Sequence, residues 1–181
     1  GSLAAEPTLE IRWADDRQLL RIVGFGRVDT VTGARTHADL REAKWVGTFG
    51  PVELTLGADR RFWGVTESVH LVDVLNQIDT LEDIDREDKL GQPMASLAWT
   101  TPLGTLSGFF MPVFREQRFP GSSDRPAGPL PVDRSQAILP GGNHWTTDWA
   151  VRLKSVLGPV DLGLAYFDGI NRDPRFVPGL G

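Results

Sequence analysis

Apolar and polar residues alternate with a period of two along most of the chain. The pattern is clearest from Trp145 to Leu157, where Trp, Val and Leu take odd positions and Asp, Arg and Lys take even ones. Successive side chains of a strand point to opposite faces, so the pattern predicts a two-faced β-strand; a helix would scatter the two sets. A second alternating run, Val160 to Phe167, follows a Gly-Pro pair, and the two runs together predict a β-hairpin.

Three further hairpins follow from the same pattern. They are residues 9–29 with a turn at 14–17, residues 42–57 with a turn at Gly50-Pro51, and residues 95–115 with a turn at 101–104. With the last hairpin they make about eight antiparallel strands. The sequence therefore predicts one all-β domain over residues 1–181, built as an up-and-down transmembrane β-barrel or partial barrel.

The connections between strands differ in length. The turns within hairpins are short, whereas two of the links between hairpins, residues 64–92 and 116–144, are long. Loops of this length are uncommon in a compact domain and usually have a function. Short turns at one end of the strands and long loops at the other are typical of outer-membrane barrels.

Composition excludes several classes of function. There are 19 Lys and Arg against 24 Asp and Glu, a net charge of −5 with no basic stripe, so nucleic-acid binding is not expected. Cysteine is absent, which excludes disulfides and Cys nucleophiles. The longest apolar run, residues 106–114, is half of the roughly 18 residues that a membrane-spanning helix needs.

Two environments fit the alternation of faces. In a membrane barrel the Trp and Leu face meets lipid, and the polar face lines a lumen. The alternative is a soluble secreted or periplasmic antiparallel protein that keeps its polar face in water and binds carbohydrate through exposed Trp. Eight strands alone enclose an interior filled by side chains, so a pore requires further strands or a homo-oligomer.

The predicted lumen-lining residues are Glu53, Asp59, Arg61, Asp148, Arg152 and Lys154.

A family resemblance favours the membrane barrel. Residues 57–79 run from a Gly-containing strand through Arg-Phe-Trp-Gly into Asp-Val-Leu-Asn with a following Asp, and the similarity continues through residues 82–93. This stretch resembles a family of proteobacterial outer-membrane, porin-like barrel proteins, mostly of unassigned function. Family members are usually longer, so the resemblance implies an incomplete barrel. Gly1-Ser2 and the turn-like ending at 176–181 also predict a fragment.

The loop after the family signature is a candidate constriction. Trp63, Asp73, Asn76 and Asp79 mark a segment that either folds into the lumen and narrows a pore or packs on the barrel rim. The two Asp and the Asn also suit capping and turn positions. The acidic run 82–88 lacks EF-hand spacing, so a solvated loop is expected there rather than a Ca²⁺ site.

No motif indicates catalysis. His37, His70 and His144 share no ligand spacing, and no G-x-S-x-G occurs. We therefore expect no enzyme activity, no cofactor and no metal. The predicted function is a pore or channel-like protein of the Gram-negative outer membrane, with the lipid bilayer and a small polar solute as its partners.

Overall fold

The computed structural model describes residues 1–30, 36–61, 75–79, 89–117, 138 and 144–172. Within these ranges the chain forms one antiparallel sheet of nine strands and contains no helix. The prediction of an all-β antiparallel fold is confirmed. The strands are β1 (Ser2–Ala5), β2 (Thr8–Trp13), β3 (Gln18–Asp29), β4 (His37–Phe49), β5 (Val52–Asp59), β6 (Gln92–Thr101), β7 (Gly104–Met111), β8 (Asp148–Leu157) and β9 (Val160–Asp168).

The strands from β3 to β9 lie side by side in sequence order. The ninth strand arises because the first strand position is interrupted. Both β1 and β2 pair with β3 in one continuous register, Ser2 opposite Asp29 and Thr8 opposite Val23. Pro7 between them lacks an N–H, but its carbonyl still accepts a hydrogen bond of 3.1 Å from Gly24 N. β1 and β2 therefore act as one edge strand, so the sheet has eight strand positions.

The sheet is open. In the described part of the chain the edge strand β1/β2 and the opposite edge β9 pair with no further strand, so the barrel is not closed. Two predicted boundaries were also wrong. β8 begins at Asp148 rather than Trp145, and Gln92 belongs to β6 rather than to the preceding link.

Short turns lie at one end of the sheet and longer links lie at the other. Gly50 and Gly158, with φ of +60° and +63°, stand first in two-residue turns, the position that a type II′ hairpin reserves for Gly. These two turns, with those at 14–17 and 102–103, lie at one end, here called the turn end. The links 30–36, 60–91 and 112–147 join the strands at the opposite end, here called the loop end.

A β-bulge adjusts which side chains share a face. The register between β3 and β4 shifts at Val23/Gly24, so Arg41 is an extra residue beside Glu42. Both side chains are buried, because the bulge turns two successive residues to the same face. Gly57, with a φ of +125°, allows β5 to approach Ala43 of β4 more closely than a Cβ would permit.

Candidate functional site

The two faces of the sheet differ in exposure, most clearly towards the loop end, where charged side chains are buried and large apolar ones are exposed. On one face, here called the polar face, Asp59 and Asp148 are 0% exposed. On the other, here called the apolar face, Trp99 is 49% and Leu164 57% exposed. Strand register places large exposed side chains on this apolar face from edge to edge. They include Leu9, Ile11, Trp13, Leu56, Leu97, Trp99, Leu106, Trp149, Val151, Leu162, Leu164 and Tyr166.

A chain of ion pairs crosses the polar face from β2 to β5, and is here called the charge ladder. Its members meet because strand register places Glu10 opposite Arg21, and Arg21 opposite Lys44. Next to Lys44, Gly57 has no side chain, so the ammonium group reaches past it to Asp59. In order, the ladder runs Glu10–Arg21 (2.9 Å), Arg21–Glu42 (3.3 Å), Glu42–Lys44 (2.8 Å), Lys44–Asp59 (2.5 Å) and Asp59–Arg61 (2.5 Å).

A short piece of the long β5–β6 link, residues 75–79, packs on the polar face near the loop end. Asn76 is 0% exposed and holds three backbone groups. Its Nδ2 donates to Asp59 O (2.7 Å) and Leu90 O (2.9 Å), and its Oδ1 accepts from Arg61 N (2.9 Å). Leu75 packs into an apolar cluster with side chains from three strands. That cluster is Leu75, Met94, Met111 and Ala150, with Phe109 and Phe167 against it.

Asp79 provides a second attachment of this segment to the sheet. Arg41, the bulge residue, lies 3.6 Å from the Asp79 carboxylate, and both side chains are almost fully buried. The Arg41 guanidinium also stacks 4.5 Å from the centre of the Phe25 ring and donates to Lys89 O at 3.4 Å. The bulge therefore turns a cation towards the segment that covers the sheet.

Arg172, which follows β9, attaches segment 75–79 to the sheet on the side of β8. Its guanidinium lies 2.8 Å from Asp148 and donates to Leu75 O at 3.2 Å. Burial lowers the pKa of Arg172, and the neighbouring Asp148 carboxylate opposes that shift. One arginine thus links β8 to segment 75–79.

The structure divides the six predicted lumen-lining residues into two groups. All except Arg61, which follows β5, lie on strands at polar-face positions. Asp59, Arg61 and Asp148 are engaged in the ion pairs above, at the loop end. The other three, Glu53, Arg152 and Lys154, lie towards the turn end.

Small residues separate the charges at the turn end. Register places Glu53, Ala98, Ser107 and Arg152 in one row across β5 to β8. Strand spacing puts about 14 Å of sheet between the outer two. Thr105 stands beside Lys154 in the next row. A carboxylate therefore faces two cations across a floor of small and hydroxyl side chains.

The predicted constriction residues are only partly described. Asn76 and Asp79 are both buried on the polar face, as shown above. Trp63, Asp73, His70 and the acidic run 82–88 lie outside the described residues. The constriction itself stays a prediction.

Sequence reasoning missed the residues that neutralise this face. Glu42 and Lys44 alternate with Ala43 and Trp45, so period two already places them on the polar side. Arg41 breaks that period because of the bulge, and Arg172 lies outside every strand. No local pattern could have paired those two arginines with Asp79 and Asp148.

Other chemistry is sparse in the described part of the chain. No group of three or more His, Cys, Asp or Glu residues there could hold a metal ion. His37 packs 5.6 Å from Phe25, and His144 Nε2 lies 3.5 Å from the Glu116 carboxylate. No helix among the described residues is long and apolar enough to span a bilayer.

Comparisons with known proteins identify no relative. No protein-family model, curated protein or solved structure matches the chain. The resemblance of residues 57–79 to porin-like proteins therefore stays a prediction.

Proposed function

We propose that the chain forms part of a pore in the outer membrane of a Gram-negative bacterium and that small polar solutes pass along its polar face. The observation that carries this proposal is the reversed exposure of the sheet. Tryptophan and leucine side chains cover the exposed apolar face, while the carboxylates and guanidinium groups of the polar face are buried towards the loop end. In water, such exposure would leave an extensive apolar surface without a partner, whereas lipid would cover it.

Strand length supports the same environment. A strand that crosses a bilayer at a tilt needs about 9–11 residues. The strands β3 to β9 contain 8 to 13 residues. Aromatic residues lie towards both strand ends on the apolar face, Trp13 and Trp99 at the turn end and Trp149 and Tyr166 nearer the loop end. Such aromatic residues suit the two membrane–water interfaces.

The lengths of the turns and links indicate how the sheet would be oriented in the outer membrane. All four short turns lie at the turn end, and the three longer links lie at the loop end. In bacterial outer-membrane barrels the short turns face the periplasm and the longer loops face outwards. The turn end would therefore be periplasmic.

Charges at the turn end provide the proposed path for solutes. Glu53 stands across the floor of small residues from Arg152 and Lys154. Opposite charges on facing walls create a transverse field that orients polar solutes, and rings or rows of charge set which ions pass. Asp161 on β9 lies on the same face near this end, so β5 to β9 contribute two carboxylates and two cations, and this region favours zwitterionic solutes.

Segment 75–79 is the proposed constriction at the loop end. It lies on the polar face, held by Asn76, the Arg41–Asp79 pair and Arg172. A segment attached at three points narrows the lumen permanently instead of opening and closing as a free loop would. Solutes would then pass beside it.

The alternative function is carbohydrate binding by a soluble secreted or periplasmic protein. Trp99, Trp145 and Trp149 are exposed, and aromatic rings of this kind can stack on sugars. The two functions differ in the medium that contacts the apolar face. The pore needs lipid against the whole face, whereas sugar binding needs water around a few tryptophans.

Refolding separates these two functions. The chain is refolded from urea into plain buffer, into detergent micelles and into phospholipid vesicles. The pore proposal predicts aggregation in buffer and a folded β-sheet in micelles and vesicles. A monodisperse folded monomer in buffer would contradict it, and a glycan array on that monomer would then test carbohydrate binding.

A further inference from the structure

Three arginine side chains, here called the arginine band, are exposed on the polar face of β2 to β5. The exposed fraction of the side chain is 50% for Arg12, 35% for Arg21 and 34% for Arg61. Strand register places Arg12 and Arg21 on this face. Arg61 follows β5 and contacts two residues of the same face, Asp59 and Thr55.

The carboxylates that pair with the arginine band are less exposed than the arginines. The exposed fraction of the side chain is 31% for Glu10, 9% for Glu42 and 0% for Asp59. The guanidinium groups therefore form the outer layer of the charge ladder, and the carboxylates lie beneath them. A solute that approaches this part of the polar face meets N–H donors first.

Each arginine of the band keeps one terminal nitrogen for a ligand. Arg12 contacts Glu10 through Nε and Nη2. Arg21 uses Nη1 and Nε for its two carboxylates, and Arg61 uses Nη2 for Thr55 Oγ1 (3.0 Å) and Nε for its carboxylate. The remaining nitrogens have no partner in the described part of the chain. They are Nη1 of Arg12, Nη2 of Arg21 and Nη1 of Arg61.

Strand register brings the three guanidinium groups together. Arg12 on β2 lies in the same row as Thr55 on β5. The Arg61 side chain extends back along β5 to that row, where it donates to Thr55. Arg21 lies on β3, between the other two. Since neighbouring strands are about 4.8 Å apart, the band spans about 14 Å of the sheet.

The charge of this region is slightly positive. With Arg12 and Lys44 included, the ladder contains four cations and three carboxylates. The adjoining ion pair of Arg60 with Glu6 adds no net charge. Glu53 lies at the side of the band, one row nearer the turn end on β5. A solute with charges of both signs would therefore place its anionic group on the band and its cationic group near Glu53.

We propose that the arginine band is a binding site for the oxyanion groups of solutes, either carboxylates or phosphates. This inference rests on the proposed membrane function, since it makes the band part of the pore wall. Guanidinium N–H groups bind such oxygens through charge-assisted hydrogen bonds. The carboxylates beneath the arginines hold the guanidinium groups in place, so a ligand meets donors that are already oriented.

Calorimetric titration tests this site in protein refolded into non-ionic detergent micelles. The probes are succinate and inorganic phosphate, and succinamide is the uncharged control. We expect both anions to bind and succinamide not to bind. Binding of only one anion would identify the oxyanion class that the site takes. Equal binding of succinate and succinamide would contradict the proposal.

Substitutions locate the binding. We expect Arg21→Gln and Arg61→Gln each to weaken binding of the anions about tenfold, because each removes a charge-assisted hydrogen bond. Arg21→Lys and Arg61→Lys keep a cation above the carboxylates and should weaken binding by a smaller factor. They provide the test if a Gln variant fails to fold. Arg17→Gln, in the turn between β2 and β3, is the matched control and should bind as the unchanged protein does.

Two results would overturn the site alone. They are the absence of anion binding by protein folded in micelles, and an equal loss of binding in Arg17→Gln and Arg21→Gln. Either result leaves the membrane proposal standing. A monodisperse folded monomer in plain buffer would contradict the membrane proposal and, with it, this inference.

Discussion

The two halves of the polar face use charge differently. At the loop end the charged groups are buried and paired: Asp148 with Arg172 and Asp79 with Arg41. At the turn end a row of small side chains separates Glu53 from the cations of β8. One face of one sheet therefore contains buried ion pairs near one end and charges separated by small side chains near the other.

This difference shows that the polar positions on one face of a sheet are not equivalent. Buried ion pairs add little net stability compared with apolar packing, but removing one partner is costly because the other charge stays buried. The loop-end pairs attach segment 75–79 and the chain after β9 to the sheet. We infer that they specify the arrangement of this covering layer, while the turn-end charges act on solutes.

The largest expected effect is at the Asp148–Arg172 pair. Asp148→Leu leaves the Arg172 guanidinium buried without its carboxylate, and we expect the free energy of unfolding to fall by about 3–5 kcal/mol. Urea unfolding in detergent micelles measures it. The double variant Asp148→Leu/Arg172→Met should recover most of the loss. Lys154→Leu at the turn end is the control, with a change within about 0.5 kcal/mol. Equal losses of stability at the two ends would show that the charges of the loop end and of the turn end are equally important for folding.

The next effect separates the two faces at neighbouring positions of β8. Val151→Arg places a charge on the apolar face, which costs about 2–4 kcal/mol at the middle of a bilayer. Arg152→Leu, one residue along, lies on the polar face and should leave insertion intact. The yield of folded protein in phospholipid vesicles is the measurement. Normal insertion of Val151→Arg, with Arg152→Leu failing to fold, would mean that the faces are reversed.

A smaller effect is expected at the attachment of segment 75–79. Asn76→Ala removes hydrogen bonds to two backbone carbonyls and leaves them buried, at a cost of about 1–3 kcal/mol. Loosening the segment should also raise single-channel conductance in a planar bilayer. Gln77→Ala, at the neighbouring position, is the matched control. A variant that loses stability with unchanged conductance would show that this segment does not narrow the path.

The smallest effect on stability, with a clear effect on transport, is expected at the turn end. Lys154→Leu and Arg152→Leu together remove both cations, so the reversal potential in a salt gradient should shift towards cation selectivity. Glu53→Gln removes the opposing carboxylate and should shift it the other way. Shifts of the same sign from these two changes would exclude Glu53 and the β8 cations as the charges that face the solute.

The sheet could be largely predicted from local patterns. Period-two alternation located eight strands, and the Gly50-Pro51 and Gly158-Pro159 pairs located two of their turns. Each of these patterns lies within a few residues of the strand or turn that it predicts. β1 was missed because Ser2–Ala5 does not alternate clearly and is separated from β2 by Pro7.

The covering layer could not be predicted in the same way. Asn76 and Asp79 stood out in the sequence, but their partners Asp59 and Arg41 are far along the chain and meet them only once the sheet has formed. Arg172 is 24 residues from Asp148 and lies in no strand. Such contacts depend on tertiary packing, and Arg41 depends also on a bulge that reverses the local period.

Cysteine labelling measures directly whether each face of the sheet meets lipid or water. Single cysteines are placed at alternating positions of β8 and β9 in protein refolded into phospholipid vesicles, and each is treated with a water-soluble and a lipid-soluble maleimide. We expect reaction with the lipid-soluble reagent at 151, 153 and 162, and with the water-soluble reagent at 152, 154 and 161. Equal labelling by the water-soluble reagent at odd and even positions of β8 would contradict it.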